Sequence, residues 1–125
     1  MKRGKVFLFF DEQGTEVISR VNTDQTTRIE KTRDSAFFAT DLHLRLTNLH
    51  VDRIVLVGVS THGCISQTAR DAYALNIRTV IISNATADAR HDYHEAQLQR
   101  LEEDRQATTA TIDEIIAAWQ GASKS

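Results

Sequence analysis

The most informative stretch of this sequence is residues 54–64, which read IVLVGVSTHGC. Its first six residues are apolar or glycine, and such an unbroken run is typical of a strand buried on both faces of a parallel sheet. The next five residues are small or polar and end in the single cysteine of the chain. We therefore interpret the stretch as a central strand followed by a turn that holds Cys64 at the carboxyl end of that strand.

Strands and helices alternate along the rest of the chain. Residues 6–10 (VFLFF) and 79–83 (TVIIS) are two more strands of the buried type, and residues 27–30 form a weaker one. Helical spacing of apolar residues is found in 40–49, 65–76, 90–106 and 111–119. This alternation predicts βαβ units, and hence one α/β domain over residues 1–125: a three-layer, Rossmann-like parallel sheet with helices on both faces.

Each predicted helix has one apolar stripe and recognisable ends. Thr40 is placed to cap the first helix, and Asn76, which tolerates a left-handed conformation, is placed to end the second. Thr111 and Glu114 form a capping-box pattern before the last helix, and residues 121–125 are expected to fray. The stripes are Leu42, Leu46 and Leu49; Ile65, Ala69 and Ala72; Leu98 and Leu101; and Ile112, Ile115, Ile116 and Trp119.

The composition excludes several classes of protein. A hydrophobic fraction of 41% and a charged fraction of 26% are ordinary for a globular domain and too apolar for a disordered chain. Lys and Arg number 15 against 17 Asp and Glu, so the charge gives no reason to expect a nucleic acid or an anionic membrane as partner. One cysteine excludes an internal disulfide, and the absence of proline excludes a Pro-rich linker.

The apolar run at residues 6–10 is too short for an export or membrane segment. It has five residues, whereas a signal-peptide core needs about 7–15 and a membrane span about 20. We therefore expect a cytoplasmic protein that acts on a small molecule and has neither membrane nor nucleic acid as partner. Apolar helix faces and a free sheet edge in so small a domain favour a homo-oligomer.

Three candidate chemical groups follow predicted strands, where open α/β sheets form their sites. Asp11 follows the strand at residues 6–10, Lys31 follows the weak strand, and Cys64 opens a helix. A helix N-terminus and a nearby lysine both lower the pKa of a thiol, while a carboxylate can relay its proton. These residue types leave two interpretations open: an activated nucleophile, or an inert buried cysteine beside a solvated lysine.

Several stretches resemble the isochorismatase-like cysteine hydrolases. They are 31–42 (KTRDSAFFATDL), 58–64 (GVSTHGC), 68–72 (TARDA), 83–88 (SNATAD) and 94–101. The first corresponds to the lysine motif of that family, the second and third to its nucleophile loop and the following helix. The resemblance covers roughly residues 31–119 and implies an isochorismatase-like fold, with hydrolysis of a C–N bond in a small amide through a thioester.

The resemblance also implies roles for individual residues. It makes Cys64 the nucleophile, Lys31 the cation that favours the thiolate, and Asp11 the group that shuttles protons to the leaving amine. The family has a non-proline cis peptide that corresponds to Val59–Ser60, and the backbone N–H groups of Ser60 and Cys64 would form the oxyanion hole.

Three more residues fall in or next to these motifs. The resemblance implies that Phe37 and Thr61 line the substrate pocket, and we interpret His62 as a pocket or structural histidine. His91 and His94 stand three positions apart near Asp88 and Asp92, but we interpret them as a solvated helix face. We expect no metal and no cofactor.

Two departures from the family pattern leave alternatives open. Asp11 and Lys31 are only 20 positions apart, whereas the family aspartate lies far upstream of the lysine. Either residues 6–10 are the Asp-bearing strand and one βα unit is deleted, or they correspond to a later strand and the Asp-bearing strand is missing. A sheet without its central strand would expose two edges, which favours the first alternative.

The second departure is Asn84, which stands where the family usually has an aspartate. Together with the short interval before Lys31, it leaves open a different function. The chain could be a shortened, catalytically impaired member that serves as a binding or assembly module, or an incomplete sequence.

Overall fold

The computed structural model describes residues 5–11, 29 and 33–124, with 5–11 and 122–124 as backbone only. Within these residues strands and helices alternate as the sequence predicts. The strands are β1 (Lys5–Asp11), β2 (Val51–Val59), β3 (Arg78–Ala87) and β4 (Thr108–Ala110). The α-helices are α1 (Leu42–Asn48), α2 (Ser66–Ala74), α3 (His91–Glu103) and α4 (Ile112–Lys124). A π-helical turn, Thr61–Ile65, leads directly into α2.

The four described strands form one parallel sheet in the order β1-β2-β3-β4. This confirms the α/β fold with a parallel sheet. In the register of the first pair, Asp11 lies opposite Gly58, so β1 and β2 end at the same edge of the sheet. The predicted weak strand at 27–30 lies outside the described residues except for Ile29, which belongs to no strand.

One strand, β4, has no counterpart in the sequence prediction. It consists of three residues, TTA, which pair with Val80, Ile81 and Ile82 of β3. Three small residues are too few to show an alternating or apolar pattern. The strand forms because β3 offers its free edge, which is a tertiary cause rather than a local one.

The hydrophobic core lies against one face of the sheet. Ile54 and Leu56 of β2 share this face, and Leu56 lies opposite Ile81 of β3. The π-helical turn and helices α1, α2 and α3 add Leu42, Leu46, Ile65, Ala69, Ala72, Leu98 and Leu101 to the cluster. The alternate strand residues Val55 and Ile82 are also buried, and α4 contacts β3. The predicted stripes of α2 and α3 are therefore confirmed.

The predictions for α1 and α4 are correct only in part. The first stripe was expected to include Leu49, but α1 ends at Asn48 and Leu49 is exposed. In the last helix Ile112, Ile116 and Trp119 are substantially exposed, and Ile115 is half-buried. The core cluster contains no residue of α4. Residues 121–124, for which the sequence predicts fraying, are helical and form the end of α4.

The predicted helix ends agree with the structure in most respects. Asn76 has a positive φ of 63° just after α2, as its role at the helix end requires. The N–H of Thr111 donates to Glu114 Oε1 (3.0 Å), and the N–H of Glu114 donates to Thr111 Oγ1 (3.2 Å), which confirms the capping box. Thr40 is not the cap itself, because Asp41 takes that position, but its Oγ1 accepts the N–H of Leu42.

No helix in the described part of the chain is both long enough and apolar enough to span a membrane.

Candidate active site

Cys64 lies in a tight turn at the carboxyl end of the central strand β2. The peptide bond Val59–Ser60 is cis, at the position that the family resemblance implies. The carbonyl of Ser60 accepts hydrogen bonds from the N–H groups of Gly63 (3.2 Å) and Ile65 (3.1 Å), which close the turn around Cys64. The half-buried cysteine is thus in the first turn of the helical segment that continues as α2.

The thiol of Cys64 faces the side chain of Asp34. Its Sγ donates a long hydrogen bond of 3.9 Å to Asp34 Oδ1. Asp34 is exposed and belongs to the loop that precedes α1, 30 positions away from Cys64. The sequence prediction missed this residue, because the resemblance gives no role to its position within the stretch KTRDSAF.

The loop that carries Asp34 is anchored to α2. The N–H of Ala36 donates to Thr68 Oγ1 (3.0 Å), and both residues are buried. Within the loop, the N–H of Phe37 donates to Ser35 Oγ (3.1 Å), and Phe37 packs, half-buried, against the core. The candidate lysine motif and the helix after the nucleophile are therefore in direct contact.

A buried threonine–histidine pair supports the other side of the turn. Thr61 Oγ1 lies 2.7 Å from His94 Nδ1, and His94 Nε2 lies 3.1 Å from the carbonyl oxygen of Ser83. Because a carbonyl can only accept, Nε2 carries the hydrogen, and in the neutral imidazole Nδ1 accepts from Thr61. This assignment links the turn, α3 and β3.

The burial of His94 corrects the interpretation of His91 and His94 as a solvated helix face. His91 is exposed, but His94 is buried. The sequence contained the signal, since His94, Leu98 and Leu101 stand at positions i, i+4 and i+7 of one helix and share its inward face. A histidine in an apolar stripe is more consistent with a buried hydrogen-bonded side chain than with a surface one.

A second carboxylate, that of Asp88 just after the end of β3, binds His62. Asp88 Oδ2 accepts the backbone N–H of His62 (2.7 Å) and also contacts the ring Nδ1. The Asp88 side chain is only 1% exposed, whereas that of His62 is 46% exposed. Burial raises the pKa of the Asp88 carboxyl, but the hydrogen bonds and charge of His62 outweigh it and hold this pKa below its ordinary value.

The other predicted site residues have less defined surroundings. Asp11 is the last residue of β1, and its backbone lies opposite Gly58, at the edge of the sheet where the turn begins. Its side chain and the whole of Lys31 lie outside the described residues. Asn84 has a structural contact, because its Oδ1 accepts the N–H of Ile112 (2.9 Å) at the start of α4.

Among the residues that the structure describes, no three His, Cys, Asp or Glu side chains cluster in a way that could hold a metal ion.

These features define an α/β protein with one cysteine at the carboxyl edge of a parallel sheet. Residues 1–114 match the model of the isochorismatase domain, and the chain belongs to this family. The Arabidopsis thaliana protein named probable inactive nicotinamidase is 41% identical over 88 residues, which are 68% of this chain and 45% of that protein. The maleamate amidohydrolase of Pseudomonas putida is 43% identical over 70 residues, covering 56% and 33% of the two chains.

Solved structures show the same similarity. An isochorismatase-like hydrolase from Alkaliphilus metalliredigens superposes with a TM-score of 0.79 at 33% identity, covering 85% of this chain and 58% of the other. For the nicotinamidase of Bacillus subtilis the TM-score is 0.64 at 38% identity, covering 66% and 45%. This chain spans about half the length of the curated relatives it matches. It is thus an isochorismatase-family protein related to amidases.

Proposed function

We propose that this chain carries a cysteine hydrolase site that cleaves the C–N bond of a small amide. The observation that carries the proposal is the position of Cys64, in the first turn of a helical segment at the carboxyl end of a central parallel strand. Open α/β sheets form their sites at this edge, and a helix N-terminus favours a thiolate. The chain also shares a family with the amidase relatives described above.

In the proposed reaction the Cys64 sulfur attacks the amide carbonyl carbon, and the backbone N–H groups of Ser60 and Cys64 stabilise the resulting oxyanion. Collapse of this intermediate breaks the C–N bond, the amine leaves with a proton, and a thioester remains on Cys64. Water then hydrolyses the thioester. Lys31 keeps the sulfur anionic and Asp11 carries protons; the support for Asp11 is that its strand ends beside β2.

Three residues are proposed to shape the pocket. Phe37 lies on the loop that is anchored to α2, and the same loop carries Asp34, whose carboxylate contacts the sulfur. His62 is part of the turn and keeps an exposed imidazole while Asp88 holds its Nδ1 side. Thr61 is fully buried and contributes indirectly, because its hydroxyl is bonded to His94 and fixes the turn from behind.

The proposal is tested with Cys64→Ala on a panel of small amides that includes nicotinamide, maleamate and N-carbamoylsarcosine. We expect the variant to lose at least about a thousandfold in kcat/KM on any substrate that the unmodified protein hydrolyses, since removal of a nucleophile removes the covalent route. Gln67→Ala, an exposed change one turn further along, is the matched control and should retain turnover. Equal turnover by Cys64→Ala and the unmodified protein would refute the mechanism.

A second candidate function is a catalytically impaired binding or assembly module. It is favoured by the relative named as probably inactive, which is 41% identical to this chain. The pH dependence of Cys64 alkylation by iodoacetamide separates the two candidates. A midpoint near the free-thiol value of about 8.5 supports the module, and a clearly lower midpoint supports the enzyme.

We also propose that the protein is cytoplasmic and self-associates. The single cysteine means that the fold needs no disulfide and no oxidising compartment. The support for self-association is the row of exposed apolar side chains on α4, which are Ile112, Ile116 and Trp119.

A further inference from the structure

We propose that Asp88 is a positioning residue for the nucleophile Cys64, an inference that rests on the proposed hydrolase function. Asp88 Oδ2 accepts the backbone N–H of His62 at 2.7 Å, and His62 stands two positions before Cys64. The Asp88 side chain is only 1% exposed, so it does not reach a bound substrate. Asp88 therefore acts on the reaction through the turn that it holds.

The contact places a cap on the helical segment that begins at Thr61. The first N–H groups of a helix have no partner within the helix, and a side-chain oxygen commonly satisfies one of them. Ser60 occupies the cap position of this segment, but among the described contacts its side chain makes no capping hydrogen bond. Asp88 supplies the oxygen instead, from 26 positions further along the chain, just after β3.

The charge of Asp88 suits this position. A carboxylate beside a helix N-terminus is stabilised by the partial positive charge of the helix end, and hydrogen bonds to an ionised acceptor are stronger than those between neutral groups. Burial raises the pKa of the Asp88 carboxyl, but the hydrogen bonds and charge of His62 outweigh it and hold this pKa below its ordinary value. The carboxylate is therefore ionised at neutral pH and remains an acceptor for the N–H of His62.

The position of His62 matters because the proposed oxyanion donors lie on either side of it. The backbone N–H groups of Ser60 and Cys64 belong to residues that are each two positions from His62. Such donors stabilise an oxyanion only at hydrogen-bond distance, and a misplacement of about 1 Å can cost about a hundredfold in rate. A hydrogen bond at His62 thus restrains both donors and the sulfur together.

The ring of His62 makes a separate contact with Asp88. Its Nδ1 contacts the same Oδ2, and the ring also packs on Tyr93 of α3, with the ring centroids 5.2 Å apart. Tyr93 is covered in turn by the guanidinium group of Arg90, 4.2 Å from its ring centroid. The ring is therefore also supported from α3, whereas the backbone N–H is part of the turn itself. A change of His62 to alanine removes the ring and keeps the N–H, so the two contacts can be tested separately.

The proposal predicts a split between kcat and KM. Asp88→Ala removes the acceptor and should lower kcat by about a hundredfold on any amide that the unmodified protein hydrolyses, because the turn is no longer fixed. KM should change by less than about threefold, since the buried side chain does not touch the substrate. Asp88→Asn keeps an acceptor oxygen, so its kcat should stay within about fivefold of the unmodified value.

Hydrogen exchange followed by NMR provides a readout that needs no substrate. The N–H groups of Gly63 and Ile65 are bonded to the carbonyl of Ser60, so their protection reports the closed turn. In Asp88→Ala both amides should exchange at least about tenfold faster than in the unmodified protein. In His62→Ala, which keeps the backbone N–H, and in Asp88→Asn the exchange should stay within about threefold.

Leu101→Ala is the control for a loss of stability without a change at the turn. Leu101 is fully buried in the core, about two helical turns along α3 from His94, which contacts the turn. This variant should keep kcat and the slow exchange of Gly63 and Ile65. The inference is overturned by full kcat or unchanged exchange in Asp88→Ala, by equal losses in Asp88→Asn, or by equal acceleration at the turn in Leu101→Ala.

These outcomes are separate from the test of the proposed function. The exchange rates report the hold of Asp88 on the turn in the absence of any substrate. Turnover that survives Cys64→Ala refutes the hydrolase mechanism whatever Asp88→Ala does to the turn. Full kcat in Asp88→Ala, with Cys64→Ala inactive, refutes the role of Asp88 and leaves the hydrolase mechanism standing.

Discussion

Single residues around the turn are held by contacts that cross between elements. One of them is Asp88, whose buried carboxylate accepts the backbone N–H of His62 and contacts its ring Nδ1 through the same oxygen. Among the described residues its other oxygen, Oδ1, is buried without a hydrogen-bond partner. The ionised form is nevertheless favoured, since His62 more than offsets the cost of burying the charge. The contacts that hold His62 and the turn in place therefore depend on the ionisation of Asp88.

The lowered pKa of Asp88 predicts a pH dependence of stability. Because the folded-state pKa lies below the ordinary 3.8, the unfolded chain binds more protons in acid, and the ionised carboxylate contributes stability above about pH 4. This contribution is lost as the pH falls through the folded pKa. The difference in unfolding free energy between the unmodified protein and Asp88→Asn should therefore shrink below pH 4. Urea denaturation between pH 2.5 and 7 measures it, with Asp52→Asn as the surface control, and a constant difference would contradict the prediction.

At the scale of elements, local signals predicted helix ends well and inward faces less well. The capping box of α4 and the left-handed Asn76 formed as predicted, because each depends on atoms within a few residues. In α1 the spacing suggested three inward leucines, but only Leu42 and Leu46 are buried. Whether Leu49 is covered depends on where the helix stops and on what lies beside it, and neither is a property of the spacing.

The two leucines at positions 44 and 46 of α1 provide a matched test of this burial. Leu46 is 0% exposed and belongs to the core cluster, whereas Leu44 is 61% exposed. Leu46→Ala should lower the unfolding free energy by about 2–5 kcal/mol, because it leaves a cavity in the core. Leu44→Ala should change it by less than about 0.5 kcal/mol. Chemical denaturation of both variants measures the difference, and equal effects would mean that α1 does not pack as described.

At the scale of the whole molecule, two features stand out: strands β1 and β2 end at the same edge of the sheet, and apolar side chains are exposed on α4. Strands β1 and β2 end together, so Asp11 and the turn with Cys64 share that edge. Helix α4 contacts β3 but keeps Ile112, Ile116 and Trp119 substantially exposed. An exposed apolar row on one helix is typical of a surface that is covered by another molecule.

The exposed row on α4 predicts self-association that one charge can disrupt. Ile116→Lys places an ammonium group in the middle of the row, and we expect it to lower the sedimentation coefficient to that of a monomer. Ala117→Lys adds the same charge to the same helix at an exposed position on a different face and should leave the coefficient of the unmodified protein unchanged. Sedimentation velocity at several concentrations measures both, and an unmodified protein that stays monomeric throughout would contradict the prediction.

The sequence alone was sufficient to predict three properties of the protein. They are the alternation of strands and helices, the apolar faces of α2 and α3, and the position of Cys64 after a buried strand. These properties follow from periodicities and turn residues that act over a few positions. The tertiary structure alone revealed the pairs around the turn: Cys64 with Asp34, His62 with Asp88, and Thr61 with His94. Their members are 30, 26 and 33 positions apart. Such pairs depend on which strands are neighbours and how each helix packs on them, and no local pattern encodes that packing.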